Sequence, residues 1–137
     1  MTLRKLILTV FVASFVAVGC GGGGNSNPVA PAVTPPPTFS MASLNVTCND
    51  GTDCIQFSTR PSKDVVLIKV VITNPSGTEV TFNLGSATVV ADQNVALQDP
   101  NFAYFRIGGT WKFVFTGNLA TGEKTSFEVT STLSVSS

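Results

Sequence analysis

Apolar and polar residues alternate with a period of two toward the C-terminal end of the chain. Over residues 126–135, the apolar residues share one face of an extended chain, and the other face carries serine, threonine and glutamate. In the stretch before it, Trp111, Phe113 and Phe115 share a face opposite Lys112. This alternation is typical of strands with one buried face. The apolar members of the last stretch are Phe127, Val129, Leu133 and Val135.

Earlier stretches also predict strands. Two of them alternate, with apolar faces made of Val80, Phe82 and Leu84 in one and of Leu44, Val46 and Cys48 in the other. Asp64–Thr73 is almost continuously apolar, which predicts a central strand covered on both faces, with Lys69 near an edge or extending to solvent. Turn residues at Asn74–Gly77 predict a hairpin, and residues 117–122 predict the loop between the last two strands. Turn signals about every 8–12 residues favour a β-sandwich.

The first twenty residues follow a different pattern. Arg4 and Lys5 precede the uncharged apolar run Leu6–Val18, which ends at Gly19 and Cys20. A short positive start, an apolar run of this length and a small residue before a cleavage point are typical of a secretory signal. The run is shorter than the roughly 20 residues that a transmembrane helix needs. The sequence therefore predicts export.

The end of this signal, Ala17-Val18-Gly19-Cys20, resembles the lipobox of bacterial lipoproteins. The resemblance implies cleavage between Gly19 and Cys20, a diacylglycerol on the Cys20 thiol, and an acyl chain such as palmitate on the new N-terminus. Ala17 stands where family members most often carry leucine. Gly21 is not aspartate, which by resemblance favours the outer membrane if the cell has two. The alternative is an ordinary secreted protein cut elsewhere.

The segment after Cys20 is predicted to be a linker. Gly21–Gly24 gives conformational freedom, and prolines up to Pro35–Pro37 stiffen the chain toward polyproline II. Such a tether suits a domain held at a membrane by a lipid, facing the periplasm or the cell surface. The predicted organisation is a signal peptide at 1–19, the lipidated cysteine with a flexible, disordered linker at 20–38, and a β domain at 39–137.

Cys48 and Cys54 enclose turn-forming residues. In an oxidising compartment this spacing predicts a disulfide, worth about 2.4 kcal/mol in the chain-entropy model. Five intervening residues do not fit a Cys-x-x-Cys redox pair. Calcium at Asp50 and Asp53 is a weaker alternative, because the spacing of an EF-hand is missing.

Composition excludes several functions. The chain has no histidine, which excludes Ser-His-Asp catalysis and histidine-bound zinc. Its formal net charge is zero and it has no basic stripe, which argues against a nucleic-acid partner. The acidic residues are scattered, and no nucleophile elbow or phosphate-binding loop occurs. We therefore expect a protein that is not an enzyme and that needs no cofactor or metal.

The stretches "DVVLIKVVITNPSGTEVTFNL" and "YFRIGGTWKFVFTGNLATGEKTSFEVTSTLSV" resemble bacterial immunoglobulin-like domains. In that family a late G-x-W-x-F-x-F-x-G strand pairs with a final F-x-V-x-x-x-L-x-V strand. The resemblance implies an all-β fold, a single antiparallel immunoglobulin-like or fibronectin-III-like sandwich. The inter-sheet disulfide of antibody domains is missing, since Cys48 and Cys54 are too close in sequence to link two sheets.

Two aromatic residues are candidates for stacking on a sugar. Trp111 shares the parity of Phe113 and Phe115, which favours core packing. Tyr104 and Phe105 must point to opposite faces of a regular strand, so one of them is expected at the surface. Tyr104 is the candidate ligand contact, or alternatively a residue whose hydroxyl caps a loop.

These observations predict a membrane-anchored exported lipoprotein that displays a non-catalytic immunoglobulin-like module. The predicted role is interaction with an envelope or extracellular protein, or support of envelope structure. The alternative is a carbohydrate- or peptidoglycan-binding module.

Overall fold

The computed structural model describes residues 33–137, so the predicted signal peptide, the lipidation site at Cys20 and most of the predicted linker lie outside the described residues. Pro35–Ser137 forms a compact unit. Its strands are β1 (Phe39–Thr47), β2 (Asp53–Pro61), β3 (Val65–Thr73), β4 (Glu79–Val89), β5 (Val95–Ala96), β6 (Tyr104–Phe105), β7 (Gly109–Leu119) and β8 (Ser126–Val135). Within this described part, no helix is long and apolar enough to cross a membrane.

The strands form two antiparallel sheets. In the first sheet, β2 pairs with β1 on one side, and on the other side with β5 and then β6 at different points along its length. In the second sheet, the order is β4-β3-β7-β8. The inner faces of the two sheets pack against each other, which confirms the predicted all-β sandwich.

Aromatic side chains fill the centre of the sandwich. Phe57 of β2 packs on Trp111 and Phe113 of β7, with ring centroids 4.8 and 5.0 Å away. Phe39 of β1 stacks on Phe115 at 4.1 Å. Trp111, Phe113 and Phe115 are all buried, so the core-packing interpretation of Trp111 is confirmed. The alternation of β7 and β8 also places Phe127 and Val135 in the core, as predicted.

A β-bulge at Ile68 explains the continuous apolar run of β3. Between Leu67 and Lys69, β3 advances two residues while β7 advances one, so Ile68 is the extra residue. The bulge moves the core-facing set from Val65 and Leu67 to Val70 and Ile72. Odd- and even-numbered positions of β3 are therefore both apolar, although the parts of the strand before and after the bulge each bury only one face. The prediction of a central strand was right, but the prediction that both faces are covered was wrong, since Lys69 is exposed and Val66 and Val71 are half-buried on the outer face.

The apolar face predicted for β1 lies outside the sandwich. Leu44 is opposite Gln56 and Val46 is opposite Cys54, whereas the neighbouring positions pair with the core residues Ile55 and Phe57. Residues directly opposite each other share a face, so Leu44 points outward and is 62% exposed. Sequence alternation identifies two faces of a strand but does not identify which one is buried.

The loop between the last two strands lies later than predicted. β7 continues through Gly117 to Leu119, and the chain turns between Leu119 and Ser126. Gly117 is buried within the strand, opposite Leu67. A Cβ at this position would collide with the carbonyl oxygen of Val66 on β3, which explains the glycine. The hairpin turn at Asn74–Gly77 is where the sequence predicts it.

The sandwich has two poles. At the entry pole, Pro37 is buried next to the end of β2, and the amino group of Lys63 donates a hydrogen bond of 2.6 Å to the carbonyl of Pro35. At the distal pole lie the Cys48–Cys54 turn, the Asn74–Gly77 turn and β6, which pairs with the first residues of β2. The chain that precedes β1 therefore joins the sandwich at the pole opposite β6.

Candidate functional site at the distal pole

The predicted disulfide closes the turn between β1 and β2. Cys48 and Cys54 are bonded, with their Cα atoms 5.7 Å apart. The N–H of Cys48 donates to the carbonyl of Thr52 at 2.9 Å, and Gly51 adopts a positive φ of 83°. Glycine adopts this conformation without the steric cost that other residues meet. The bridge fixes one wall of the distal pole.

Asp50 stabilises this turn through its carboxylate. Its Oδ1 accepts hydrogen bonds from the N–H of Thr52 at 3.0 Å and from the hydroxyl of Thr52 at 2.6 Å. These bonds, the one from the hydroxyl first, hold the pKa of Asp50 below its usual range. Among residues 33–137, no three or more carboxylate or thiol side chains converge as metal ligands. The carboxylate of Asp50 thus has a structural role in the turn.

The third strand of the first sheet is interrupted between β5 and β6. The N–H of Leu97 still donates to the carbonyl of Phe57 at 3.0 Å, but the N–H of Phe57 donates to the side-chain oxygen of Gln98 at 2.9 Å. A side chain thus replaces a backbone partner where the strand bends away. The side chain of Gln56 then donates to the carbonyl of Phe102 at 2.9 Å. These bonds position the loop that carries Phe102 over the distal pole.

Tyr104 and Phe105 point to opposite faces of β6, as predicted. Tyr104 is 8% exposed, and its hydroxyl donates a hydrogen bond of 2.7 Å to the carbonyl of Leu97. The hydroxyl therefore caps the loop, as the alternative interpretation of Tyr104 expects. The ligand contact at Tyr104 stays a prediction. Phe105 is the surface residue of the pair, with 67% of its side chain exposed.

An apolar cleft of about 340 Å³ opens beside β6, at the seam where the first sheet does not extend over β4. Phe102, Phe105 and Val80 are large apolar residues at its mouth, 48%, 67% and 44% exposed. Among residues 33–137, none of those that line the cleft is charged. The residues that line it are Ile72, Asn74, Thr78, Val80, Phe102, Ala103, Tyr104, Phe105, Ile107 and Trp111.

Three polar side-chain groups of the cleft form hydrogen bonds within the protein. The indole N–H of Trp111 donates to the carbonyl of Ile107 at 2.9 Å, and the hydroxyl of Tyr104 bonds Leu97. The side-chain oxygen of Asn74 accepts the N–H groups of Ser76 and Thr78, at 3.0 and 2.9 Å. The cleft therefore offers apolar contact and few hydrogen bonds, a surface suited to an uncharged apolar group.

A second depression, of about 390 Å³, lies on the other side of Phe102. Its lining is more polar and includes Thr47, Asn49, Gln56 and Asn101. An aromatic ring beside amide and hydroxyl groups is the combination that a sugar ring needs. Phe102 thus separates an apolar cleft from a polar one.

The sequence identified Tyr104 as the candidate ligand contact and Phe105 as the other candidate for exposure, but it did not identify Phe102. Phe102 and Phe105 flank Tyr104 in "NFAYFR", directly after the turn signal "DPN". Aromatic residues on both sides of a buried tyrosine next to a turn were the available signal. Val80 was predicted to face the core, and it does point to the inner face, but the first sheet leaves it uncovered.

Ionisation of Tyr104 makes the stability of the protein depend on pH in the alkaline range. Burial, and to a smaller extent the carboxylate of Asp99, raise the pKa of Tyr104 to about 12 from the ordinary value of 10.0. The folded state thus retains a proton that the unfolded chain has lost, so this stabilisation is complete below pH 10 and is lost as the pH rises from about 10 through about 12. Tyr104 is the sole tyrosine of the chain, so tyrosinate absorbance follows it directly. We expect native absorbance to change near pH 12 and urea-unfolded absorbance near pH 10.

The Tyr104→Phe variant is the matched control for this titration. It leaves the carbonyl of Leu97 without its buried donor, so we expect a loss of about 1–2 kcal/mol in the free energy of unfolding at neutral pH. Its stability should then fall less steeply than that of the wild type above pH 10. Equal slopes in the two proteins, measured by urea unfolding at each pH, would contradict the assignment.

No family model matches the chain, and the searches of the curated proteins and of the solved structures returned no match.

Proposed function

We propose that the protein is a membrane-anchored exported lipoprotein whose sandwich is a non-catalytic module for binding a protein partner. The observation that carries the proposal is the apolar cleft at the distal pole. The chain leading to the predicted anchor at Cys20 joins the sandwich at the opposite pole, beside Pro37 and Lys63. A module tethered at one pole presents the other pole to its surroundings. The lipidation of Cys20 rests on the sequence alone.

We further propose that the sandwich is of the immunoglobulin-like type, in its fibronectin-III-like form. The support is its topology. With β5 and β6 counted as one interrupted strand, the sheets are β1-β2-β5/β6 and β4-β3-β7-β8. The second order corresponds to strands C′-C-F-G of that architecture, and the first to A-B-E. Trp111 lies on β7 rather than on the strand that carries the tryptophan of antibody domains.

The chemistry of the cleft favours a protein segment as its ligand. Its exposed surface is made by Phe102, Phe105 and Val80, while the Trp111 indole and the Tyr104 hydroxyl form hydrogen bonds within the protein. Aromatic residues are enriched at protein–protein interfaces relative to the rest of the surface. The glycan alternative is favoured by the polar depression beside Phe102, where Asn49, Gln56 and Asn101 offer amide groups.

Anchoring is tested with Cys20→Ser. In a bacterial host, the wild-type chain should partition into the detergent phase, and the variant should lose this partitioning because it lacks the thiol that carries the lipid. Val46→Ser, which changes a residue of the described domain and leaves the signal intact, is the control. Equal detergent partitioning of Cys20→Ser and the wild type would refute the lipid anchor.

Binding is tested by site-specific photo-crosslinking on the distal pole. A photoreactive amino acid at Phe105 should capture a protein in cell-envelope preparations, and the same group at Leu44 should not. The two positions are matched, since they are 67% and 62% exposed, and only Phe105 lines the cleft. The glycan alternative predicts a different pair of results. No crosslinked product would be specific to Phe105, and the protein would bind to a peptidoglycan array unless it carried Asn49→Ala.

A further inference from the structure

The outer edge of β4 is unprotected over its first five residues, before the irregularity at residues 84–86, where β4 advances four residues while β3 advances two. β4 pairs with β3 on one side, and among residues 33–137 no strand pairs with its other side. Natural proteins block such edges with lysine, proline or a bulge, because unpaired backbone groups recruit another strand. The first five residues of β4, Glu79–Asn83, contain no lysine and no proline, and four of them are exposed. By contrast, β1 lies against β8, where the hydroxyl of Ser131 donates to the carbonyl of Phe39 at 3.1 Å.

The hairpin geometry determines which backbone groups of β4 face outward. The N–H of Asn74 donates to the carbonyl of Thr78 at 3.0 Å, so this pair is of the hydrogen-bonded kind. In antiparallel pairing, the two kinds of pair alternate along the strands. The register of β3 and β4 then assigns Val80 and Phe82 to bonds with β3. The N–H and C=O groups of Glu79, Thr81 and Asn83 therefore point away from the sheet, toward solvent.

The outward backbone groups of one copy can pair with the same groups of a second copy. When a second copy lies antiparallel to the first with Thr81 opposite its own equivalent, Glu79 of each copy lies opposite Asn83 of the other. All three residues belong to the outward-facing set, so each pair exchanges both backbone hydrogen bonds. A two-fold axis through Thr81 thus satisfies all the outward backbone groups of the segment. A symmetric interface of this kind closes as a dimer.

The side chains agree with this register. On the outer face, Glu79 meets the uncharged Asn83, and two threonines meet at the axis, so no like charges oppose each other. On the inner face, Val80 of one copy meets Phe82 of the other, a β-branched residue beside an aromatic one, and such pairs are favourable. Val80 is 44% exposed and gains cover in this arrangement.

We propose that two copies of this chain associate through the free edges of β4, over Glu79–Asn83, into one continuous eight-stranded sheet. The segment is bounded on one side by the Asn74–Gly77 turn and on the other by Gly85 and Ser86, whose positive φ values of 61° and 62° end the regular edge. The chain before β1 is a poor occupant of the edge, since its prolines cannot donate backbone hydrogen bonds. This association does not require a protein partner at the distal pole.

Cysteine cross-linking tests the register. In full-length chains carrying Cys20→Ser, the variant Thr81→Cys brings two cysteines face to face with Cα atoms roughly 5.5 Å apart, which is within the disulfide range. The matched control, Asn83→Cys, lies on the same exposed edge, but its equivalents are about 14 Å apart in this register. On a non-reducing gel, we expect most of the oxidised Thr81→Cys protein as a covalent dimer and Asn83→Cys as a monomer. Equal cross-linking of both, or of neither, would overturn the register.

Sedimentation velocity tests the association itself, with the full chain in detergent. We expect a shift from monomer to dimer as the wild-type concentration rises, and monomer throughout for Thr81→Lys and for Thr81→Glu, because like charges then meet at the axis. An equal mixture of the two variants should regain the dimer. Thr132→Lys, at an exposed position of β8, is the control and should behave as the wild type. A wild type that stays monomeric at every concentration, or a mixture that stays monomeric, would overturn the proposal. Neither result bears on anchoring or on capture at Phe105.

Discussion

Gly117→Val is expected to destabilise the protein strongly. A Cβ at residue 117 would collide with the backbone carbonyl oxygen of Val66 and lie 3.0 Å from the ring of Phe127. The obstacle is backbone of a central strand at its bulge, so neither β3 nor β7 has room to move without breaking the ladder between them. We expect a loss of about 3 kcal/mol or more in the free energy of unfolding, and a melting temperature lower by more than about 10 °C.

Gly122→Asn is the matched control. Gly122 has a positive φ of 68° and open space around it, and asparagine tolerates this conformation better than other residues do. Its cost should stay below about 1 kcal/mol, measured by thermal unfolding beside the Gly117 variant. If Gly117→Val unfolded at the wild-type temperature, the close approach of β7 to the bulge of β3 would be wrong.

Phe57→Ala is expected to produce the other large effect. Phe57 is fully enclosed between the sheets, with the rings of Tyr104, Trp111 and Phe113 all within 5.7 Å of its own centroid. Removing it leaves a cavity that these rigid neighbours fill poorly, and such truncations cost about 3–5 kcal/mol. Since a domain of this size has a stability of only about 5–15 kcal/mol, the variant should be largely unfolded at moderate urea concentrations.

The control for this variant is Phe105→Ala, which removes the same ring from a residue that is 67% exposed. We expect its stability to stay within about 0.5 kcal/mol of the wild type. The two variants together separate the aromatic core from the aromatic mouth of the cleft. Comparable urea midpoints for both would show that the packing around Phe57 contributes far less than its burial implies.

Much of the fold follows from the sequence, because period-two alternation reports directly on strands with one buried face. Trp111 and Phe113 of β7 and Phe127 of β8 illustrate this, since their parity predicted their burial. The run of β3 was harder to interpret, because the bulge at Ile68 reverses the parity within one strand. A bulge depends on how neighbouring strands meet, and that information is not local.

The candidate site was predictable only in part. The disulfide between Cys48 and Cys54 followed from their spacing and from predicted export, and it is present. The cleft could not be predicted, because it lies where the first sheet, in which β5 and β6 share one strand position, does not extend over β4. Which strands belong to each sheet is decided by long-range pairing. Phe105 was identified as one of two alternatives, and Val80 was assigned to the right face with the wrong exposure.

The pairing pattern has a consequence for the order of folding. Three pairs of strands, β1 with β2, β3 with β4 and β7 with β8, join neighbours in the chain through short turns. Only the contact between β3 and β7 links the two hairpins of the second sheet, and it spans β4, β5 and β6. Closing that long loop costs chain entropy before its contacts form, so we expect the hairpins to form before the β3–β7 ladder. Gly117 lies on this ladder, so the tightest point of the sheet belongs to a pairing that is expected to form late in folding.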